Sequence, residues 1–296
     1  MSEEYHQTFP AKQRGAGILL HLTSLPGSWG IGDLGPEAEN FLDFLKNSGQ
    51  RYWQFLPSGP TQAIHGHSPY MSTSAFAGNP LLISPENLLR DGWIVAEDIA
   101  DRPDFYQYLV RFNEVSSYKE NLFTKAFTRF RRNTQIPAAF TRFCTDNLWL
   151  DNYTLYVALS EKFAGKPWYE WPKKIARREP GFLIDIAGEL AERIEFHKFI
   201  QFLFAEQWYE FKEKARIKDV MLIGDVPIYV ALDSADVWAH QDCFQIDPET
   251  LQADFVAGVP PDYFSETGQI WGNPLYCWGP PEQPNQAVIT WWQRRL

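Results

Sequence analysis

The chain has 296 residues, 45% of them hydrophobic, which suffices for one large domain or two small ones with a substantial core. Its 27 Lys and Arg against 37 Asp and Glu give a net charge of −10, which opposes the phosphate contacts behind nucleic-acid affinity and argues against a nucleic-acid partner. The polar, acidic start, the lack of an apolar run of membrane-spanning length and three widely spaced cysteines (Cys144, Cys243, Cys277) read as a soluble protein of a reducing cytoplasm, with neither a membrane partner nor a disulfide framework nor a zinc site indicated.

Residues 17–22 are a short apolar run closed by Thr23-Ser24-Leu25-Pro26-Gly27, the pattern of a buried parallel strand. Pro36-Glu37 then opens a helix with Phe41, Leu42, Phe44 and Leu45 on one side, Asp33 or Gly35 near its cap and Gly49 at its exit. Residues 52–56, stopped by Pro57, are the next strand. Strand, helix and strand within about forty residues make a βαβ unit, whose crossover implies a parallel sheet and an α/β fold. The turn-rich stretch after Pro57 follows a strand's carboxyl end, the ligand-facing side of such sheets. From 103 to 178 the pattern is mostly helical, with Phe112, Phe123, Phe127, Phe130, Phe143, Trp149 and Tyr156 as candidate core. Residues from about 57 to 180 are therefore assigned as loop-rich and helical insertions. One long amphipathic helix is expected over 185–218, with Ile194, Phe199, Phe202, Leu203, Trp208 and Phe211 on its apolar side, feeding a third strand at 220–224.

Asp225 directly follows that strand, where barrel enzymes place catalytic or substrate-anchoring groups. The alternative is an Asp capping the next turn, and Asp233 and Asp236 read as caps of a short helix. His65 and His67 stand in a glycine-containing loop without evident further metal ligands, and His67 is read as a hydrogen-bonding loop residue. No phosphate-binding glycine loop and no G-x-S-x-G elbow follows any strand. The run over 259–276 is rich in proline and glycine and reads as an ordered loop presenting Tyr263, Phe264, Trp271 and Tyr276 beside Asp262, Glu266 and Asn273. Flat apolar faces next to polar groups suit a carbohydrate, while the plainer reading packs these rings onto the fold.

The 259–276 run resembles the 4-α-glucanotransferases of glycoside hydrolase family 77, also called amylomaltase or disproportionating enzyme. So do Gly224-Asp225-Val226-Pro227-Ile228-Tyr229-Val230, Gly30-Ile31-Gly32-Asp33-Leu34-Gly35, and Ser68-Pro69-Tyr70 with Ala77-Gly78-Asn79-Pro80-Leu81. The resemblance runs from about Gly15 to Tyr276. It implies a (β/α)8 TIM-type barrel with inserted helical subdomains that moves α-1,4-glucan segments between maltooligosaccharides. The implied mechanism is retaining double displacement by two carboxyl groups and needs no cofactor. It also implies that Asp225 supports the sugar at the cleavage subsite, that Tyr70 stacks on the same sugar, and that Tyr263, Phe264 and Trp271, with Asp262 and Asn273 beside them, arch over the glucan. The family's nucleophile lies in an Arg-Ile-Asp-His-Phe-Arg-like segment, and neither that segment nor the acid occurs in these residues. A barrel truncated after about three strands is therefore expected, inactive alone, with a sheet edge and apolar surface exposed. A catalytically silent α-glucan-binding fragment is the main alternative, and an α-amylase-type hydrolase a further one.

Overall fold

The computed structural model describes residues 14–106, 108–133, 135–263 and 265–296. Three short strands, β1 (Gly17–Leu19), β2 (Tyr52–Gln54) and β3 (Met221–Ile223), form one parallel sheet in that order. Trp53, at the centre of the middle strand, is fully buried and donates its indole N–H to the Leu20 carbonyl. Between β1 and β2 runs α1 (Pro36–Asn47), with Gly35 at its cap and Pro36 in its first turn. Its buried face is Ala38, Leu42 and Leu45, whereas Phe44, expected on that side, is 53% exposed. Two helical positions beyond Leu42 is a rotation of about 200°, which carries Phe44 off the apolar stripe.

Between β2 and β3 come α2 (Pro85–Arg90), α3 (Phe112–Arg132), α4 (Ala138–Asp146), α5 (Trp149–Lys162), α6 (Lys173–Ala176), α7 (Pro180–Glu189) and α8 (Ala191–Ile217). The single helix expected over 185–218 is thus two, parted at Leu190 with φ −98 and ψ 11. Gly188, two residues earlier, is the one local signal of that break, and periodicity ran through it. Helix α8 packs against α1, α3, α4, α5, α7 and β3. Being covered on several sides explains why Phe196, Phe199, Ile200, Phe202, Phe204 and Phe211 can all be buried at once. One core cluster gathers Trp53, Phe130, Phe199 and Phe211 under the sheet, and a second gathers Tyr156, Trp168, Trp238, Tyr276 and Trp291. Lys119 of α3 is fully buried, and its ammonium donates to Asp33 Oδ2 at 2.9 Å and to the carbonyls of Leu81 at 2.7 Å and Ile83 at 2.9 Å. That saturation is what lets a charge reside there.

After β3 stand α9 (Ala235–Ala239), the antiparallel pair β4 (Val256–Val259) and β5 (Gln269–Pro274), and α10 (Gln286–Arg295). The run expected to be loop throughout therefore contains a strand. Gly268, at φ +73, makes the turn back, and a Cβ there would lie 2.5 Å from the Val259 carbonyl oxygen. The first four residues of β5 are exposed and only the last two are buried, so the strand lacks the alternation that reveals a half-buried one. Asp233 and Asp236 are not the caps they resemble. Ser234 caps α9 by accepting from Val237 N–H. Asp233 accepts from the Tyr156 hydroxyl and the Trp168 N–H, and Asp236 from the Ala75 N–H and the Trp291 indole, so both tie distant elements together. Among the described residues no helix is long and apolar enough to cross a membrane.

Candidate functional site

A cleft of about 710 Å³ lies beyond the carboxyl ends of β2 and β3. Three segments meet there: the stretch after β2 with His65, Tyr70 and Met71, the stretch after β3 from Asp225 to Tyr229, and β5 with Trp271 and Asn273. At its centre the Tyr70 hydroxyl donates to Asp225 Oδ2 at 2.6 Å, joining residues 155 positions apart. That hydrogen bond, with the carboxylate's charge and partial burial, holds the Tyr70 phenol above its usual range, so it stays a protonated donor.

The Tyr70 segment is fixed by buried hydrogen bonds. Ala75 N–H donates to Asp236 Oδ2 at 2.7 Å, and Ala235 N–H donates to the Thr73 carbonyl at 2.9 Å. Gln201 of α8 clamps both backbone groups of Gly78, accepting from its N–H and donating to its C=O, each at 2.9 Å. A Cβ on Gly78 would meet the Phe204 ring at 2.0 Å, so only glycine permits this approach. Six residues along, Gln207 repeats the clamp on Ser84. The same helix, α8, thus holds the segment after β2 and leads directly into β3, whose carboxyl end carries Asp225.

The hairpin is held at its base. Asn273, 5% exposed, donates to the Val230 carbonyl at 2.9 Å, and the Tyr276 hydroxyl donates to the Ile228 carbonyl at 3.0 Å. Tyr276 is 3% exposed, so of the rings read as presented by this run it is a core residue. Trp271 is 43% exposed and lines the cleft, and Tyr263 is 97% exposed at the hairpin's far end. Asp262 accepts from the Ser265 N–H, which orders the turn beside Tyr263. Phe264 lies outside the described residues.

Tyr229 was not singled out from the sequence, yet it lines the cleft, 6.5 Å from the Trp271 ring and stacked 6.2 Å from Tyr276. No sequence period marked it: positions 225, 227 and 229 are half-buried while the more apolar Val226 and Ile228 are exposed, the reverse of what apolar alternation implies. His67 hydrogen-bonds Thr61 at 3.1 Å and stacks on Phe112, as a loop-ordering residue does. Among the described residues no group of three or more His, Cys, Asp or Glu side chains gathers as a metal site.

Known proteins resemble the chain along nearly its whole length. A family model described as 4-alpha-glucanotransferase matches residues 20–296. The 4-alpha-glucanotransferase of Aquifex aeolicus (strain VF5) is 45% identical over 281 residues, covering 95% of this chain and 56% of its own. That of Thermus thermophilus is 46% identical over 286 residues, covering 96% and 55%. The amylomaltase from Streptococcus agalactiae, solved in complex with acarbose, matches with a TM-score of 0.88 at 36% identity, over 96% of this chain and 56% of that one. The chain spans about half the length of the curated relatives it matches, and its three parallel strands are part of a TIM-barrel-type architecture. Segments that looked familiar only as short motifs are thus similar in order, spacing and fold as well, and the chain belongs to the 4-α-glucanotransferase family, glycoside hydrolase family 77.

Proposed function

We propose that this chain forms the glucan-holding wall of a 4-α-glucanotransferase, which moves α-1,4-glucan segments between maltooligosaccharides by retaining double displacement. The observation that carries this reading is the Tyr70–Asp225 hydrogen bond in a cleft walled by Tyr229 and Trp271. A pyranose offers an apolar C–H face and a hydroxyl rim. Rings meet the face, and a carboxylate accepts from the rim. In this role Tyr70 and Asp225 hold one sugar, and Trp271 and Tyr263 cover the next ones. Asp262 supports the turn that presents Tyr263, and Asn273 sets the angle of Trp271 through its bond to Val230. Phe264 keeps its place in the proposal from the sequence alone. The reaction needs only carboxyl groups and bound sugar, and the reducing cytoplasm remains the proposed compartment.

Retention requires two carboxyl groups about 5–5.5 Å apart. Among the described residues lining the cleft Asp225 is the only acid, which favours glucan binding without turnover as the second reading. Incubation of the purified chain with maltotriose, with products separated by length, decides between them when run beside an acarbose titration followed by tryptophan fluorescence. A ladder of longer and shorter maltodextrins assigns transfer to this chain. Saturable binding without a ladder assigns it the glucan-holding wall alone, and shortening without lengthening assigns hydrolysis. Neither binding nor products would sink the carbohydrate reading.

A further inference from the structure

Cys243 and Cys277 are separated in sequence, but the fold sets them opposite one another. Phe244 and Tyr276 form an isolated antiparallel bridge. It is flanked by hydrogen bonds from Cys277 N–H to the Cys243 carbonyl at 2.9 Å and from Gln245 N–H to the Leu275 carbonyl at 2.8 Å. In this pattern Phe244 and Tyr276 are directly opposed without bonding each other, and just outside them the Cys277 N–H holds the carbonyl of Cys243, which closes the short 3-10 turn Gln241–Cys243 with its own N–H on the His240 carbonyl. Opposed residues of an antiparallel pair have Cα atoms about 5.5 Å apart and side chains on one face. A disulfide accepts Cα separations of about 4.4–6.8 Å. The Phe244 and Tyr276 rings pack on each other with centroids 5.0 Å apart, and the Cys277 thiol is close enough to bear electrostatically on that of Cys243. Among the described residues no third His, Cys, Asp or Glu side chain gathers with them.

We propose that Cys243 and Cys277 are a redox-modification site, two thiols poised to close a disulfide across this bridge in exchange with a small-molecule disulfide. Cys277, the half-buried member, opens the reaction. Its thiolate attacks one sulfur of oxidised glutathione, forming a mixed disulfide and releasing one glutathione thiolate. The Cys243 thiolate then attacks Cys277 Sγ and releases the second. The protein gives up two protons and two electrons, and the oxidant becomes two glutathione thiols. Burial pushes the Cys243 thiol up to about 12, and Asp242 and Cys277 beside it act in the same direction. Burial also raises the Cys277 thiol, with Asp254 and Asp242 adding to it. Exchange is therefore slow, and it is the enforced proximity of the pair that drives closure. The bond encloses β4 and β5 in one covalent ring and fastens the base of the hairpin that presents Trp271. The proposal does not depend on the glucan reading.

The test is thiol mapping of the whole chain. The reduced protein is freed of reductant, incubated with oxidised glutathione at about pH 8, quenched in acid, alkylated and digested for mass spectrometry. A Cys243–Cys277 linked peptide, lighter by two hydrogen masses than its parts, with Cys144 alkylated, is the expected result. In Cys243→Ser the resolving thiol is gone, so Cys277 should retain glutathione as a stable mixed disulfide. Oxidised wild type should also unfold roughly 5 °C higher than the reduced form. Recovery of both cysteines alkylated, or of glutathione held on wild-type Cys277, would overturn the proposal, as would linkage of either one to Cys144.

Discussion

The Tyr70 segment and the β4–β5 hairpin reach the same cleft but are built in opposite ways. Beyond Tyr70 the chain runs buried, with Thr73, Ser74, Ala77 and Asn79 all below 9% exposure, and its backbone groups are taken up by Asp236, Gln201 and Ala235. The hairpin keeps Tyr263, Ile270 and Trp271 at the surface and is fastened at its root by Asn273 and Tyr276. A group that must hold one sugar atom in register calls for a rigid mount. A ring that meets a flat sugar face tolerates looser placement, since the contact is broad and weakly directional. The contrast predicts that changes beneath Tyr70 act on stability and binding together, whereas changes on the hairpin act on binding alone.

The largest effect should come from the buried Lys119 ammonium, which holds Asp33 and the carbonyls of Leu81 and Ile83. Lys119→Met leaves Asp33 buried without its partner and should lower unfolding stability by about 3–5 kcal/mol in a urea titration; an unchanged midpoint would mean the site is held by packing alone. Next is pH. Burial raises the Asp236 carboxyl to about 6, so the folded state binds a proton that the unfolded chain, at its ordinary value of 3.8, does not. Its stabilising contribution is thus present at low pH and is lost as pH climbs from about 4 to about 6. Relative to Asp236→Asn, the wild type should lose on the order of 3 kcal/mol across that window, and parallel stability curves would refute the assignment.

Removing the Gln201 clamp should cost less. Gln201→Ala strands the N–H and C=O of Gly78, worth roughly 2 kcal/mol of stability, and acarbose affinity should fall with it because Tyr70 moves relative to Asp225. If affinity were untouched, the segment would be stable without being a rigid mount. Trp271→Ala is the smallest and sharpens the contrast most. Unfolding should change by less than about 0.5 kcal/mol, while acarbose binding weakens by about 1 kcal/mol. The reverse pattern would make Trp271 a core residue like Tyr276.

The sheet was legible because short apolar runs ended by proline or glycine leave little else for 17–22, 52–56 and 220–224 to be. Residues 52–54 and 221–223 do pair in parallel through Trp53 and Leu222. The hairpin was not legible, because β5 packs neither face until Asn273 and Pro274 and so carries no period. Nor was the break at Leu190, where the helical pattern continues on both sides. Tyr276 looked like its neighbours on the run, and only its hydrogen bond to Ile228 and its stack on Tyr229 separate it from Trp271. Asp233 and Asp236 sit at helix-capping positions in sequence, yet their partners, Tyr156, Trp168, Ala75 and Trp291, lie 55 to 161 residues away.

Local chemistry fixed what is local: strand and helix periods, the proline at the start of α1, the glycine turns, and the motifs that mark the family. Only the tertiary structure decided which polar groups meet. Tyr70 reaches Asp225 and Gln201 reaches Gly78 because α8 and β3 return the chain to segments it left long before, while α3 carries Lys119 to Asp33 and the β4–β5 hairpin brings Cys277 back to Cys243. A side chain's intrinsic chemistry is written in its own residue, but its partners, its burial and hence its protonation are properties of whatever the fold brings beside it.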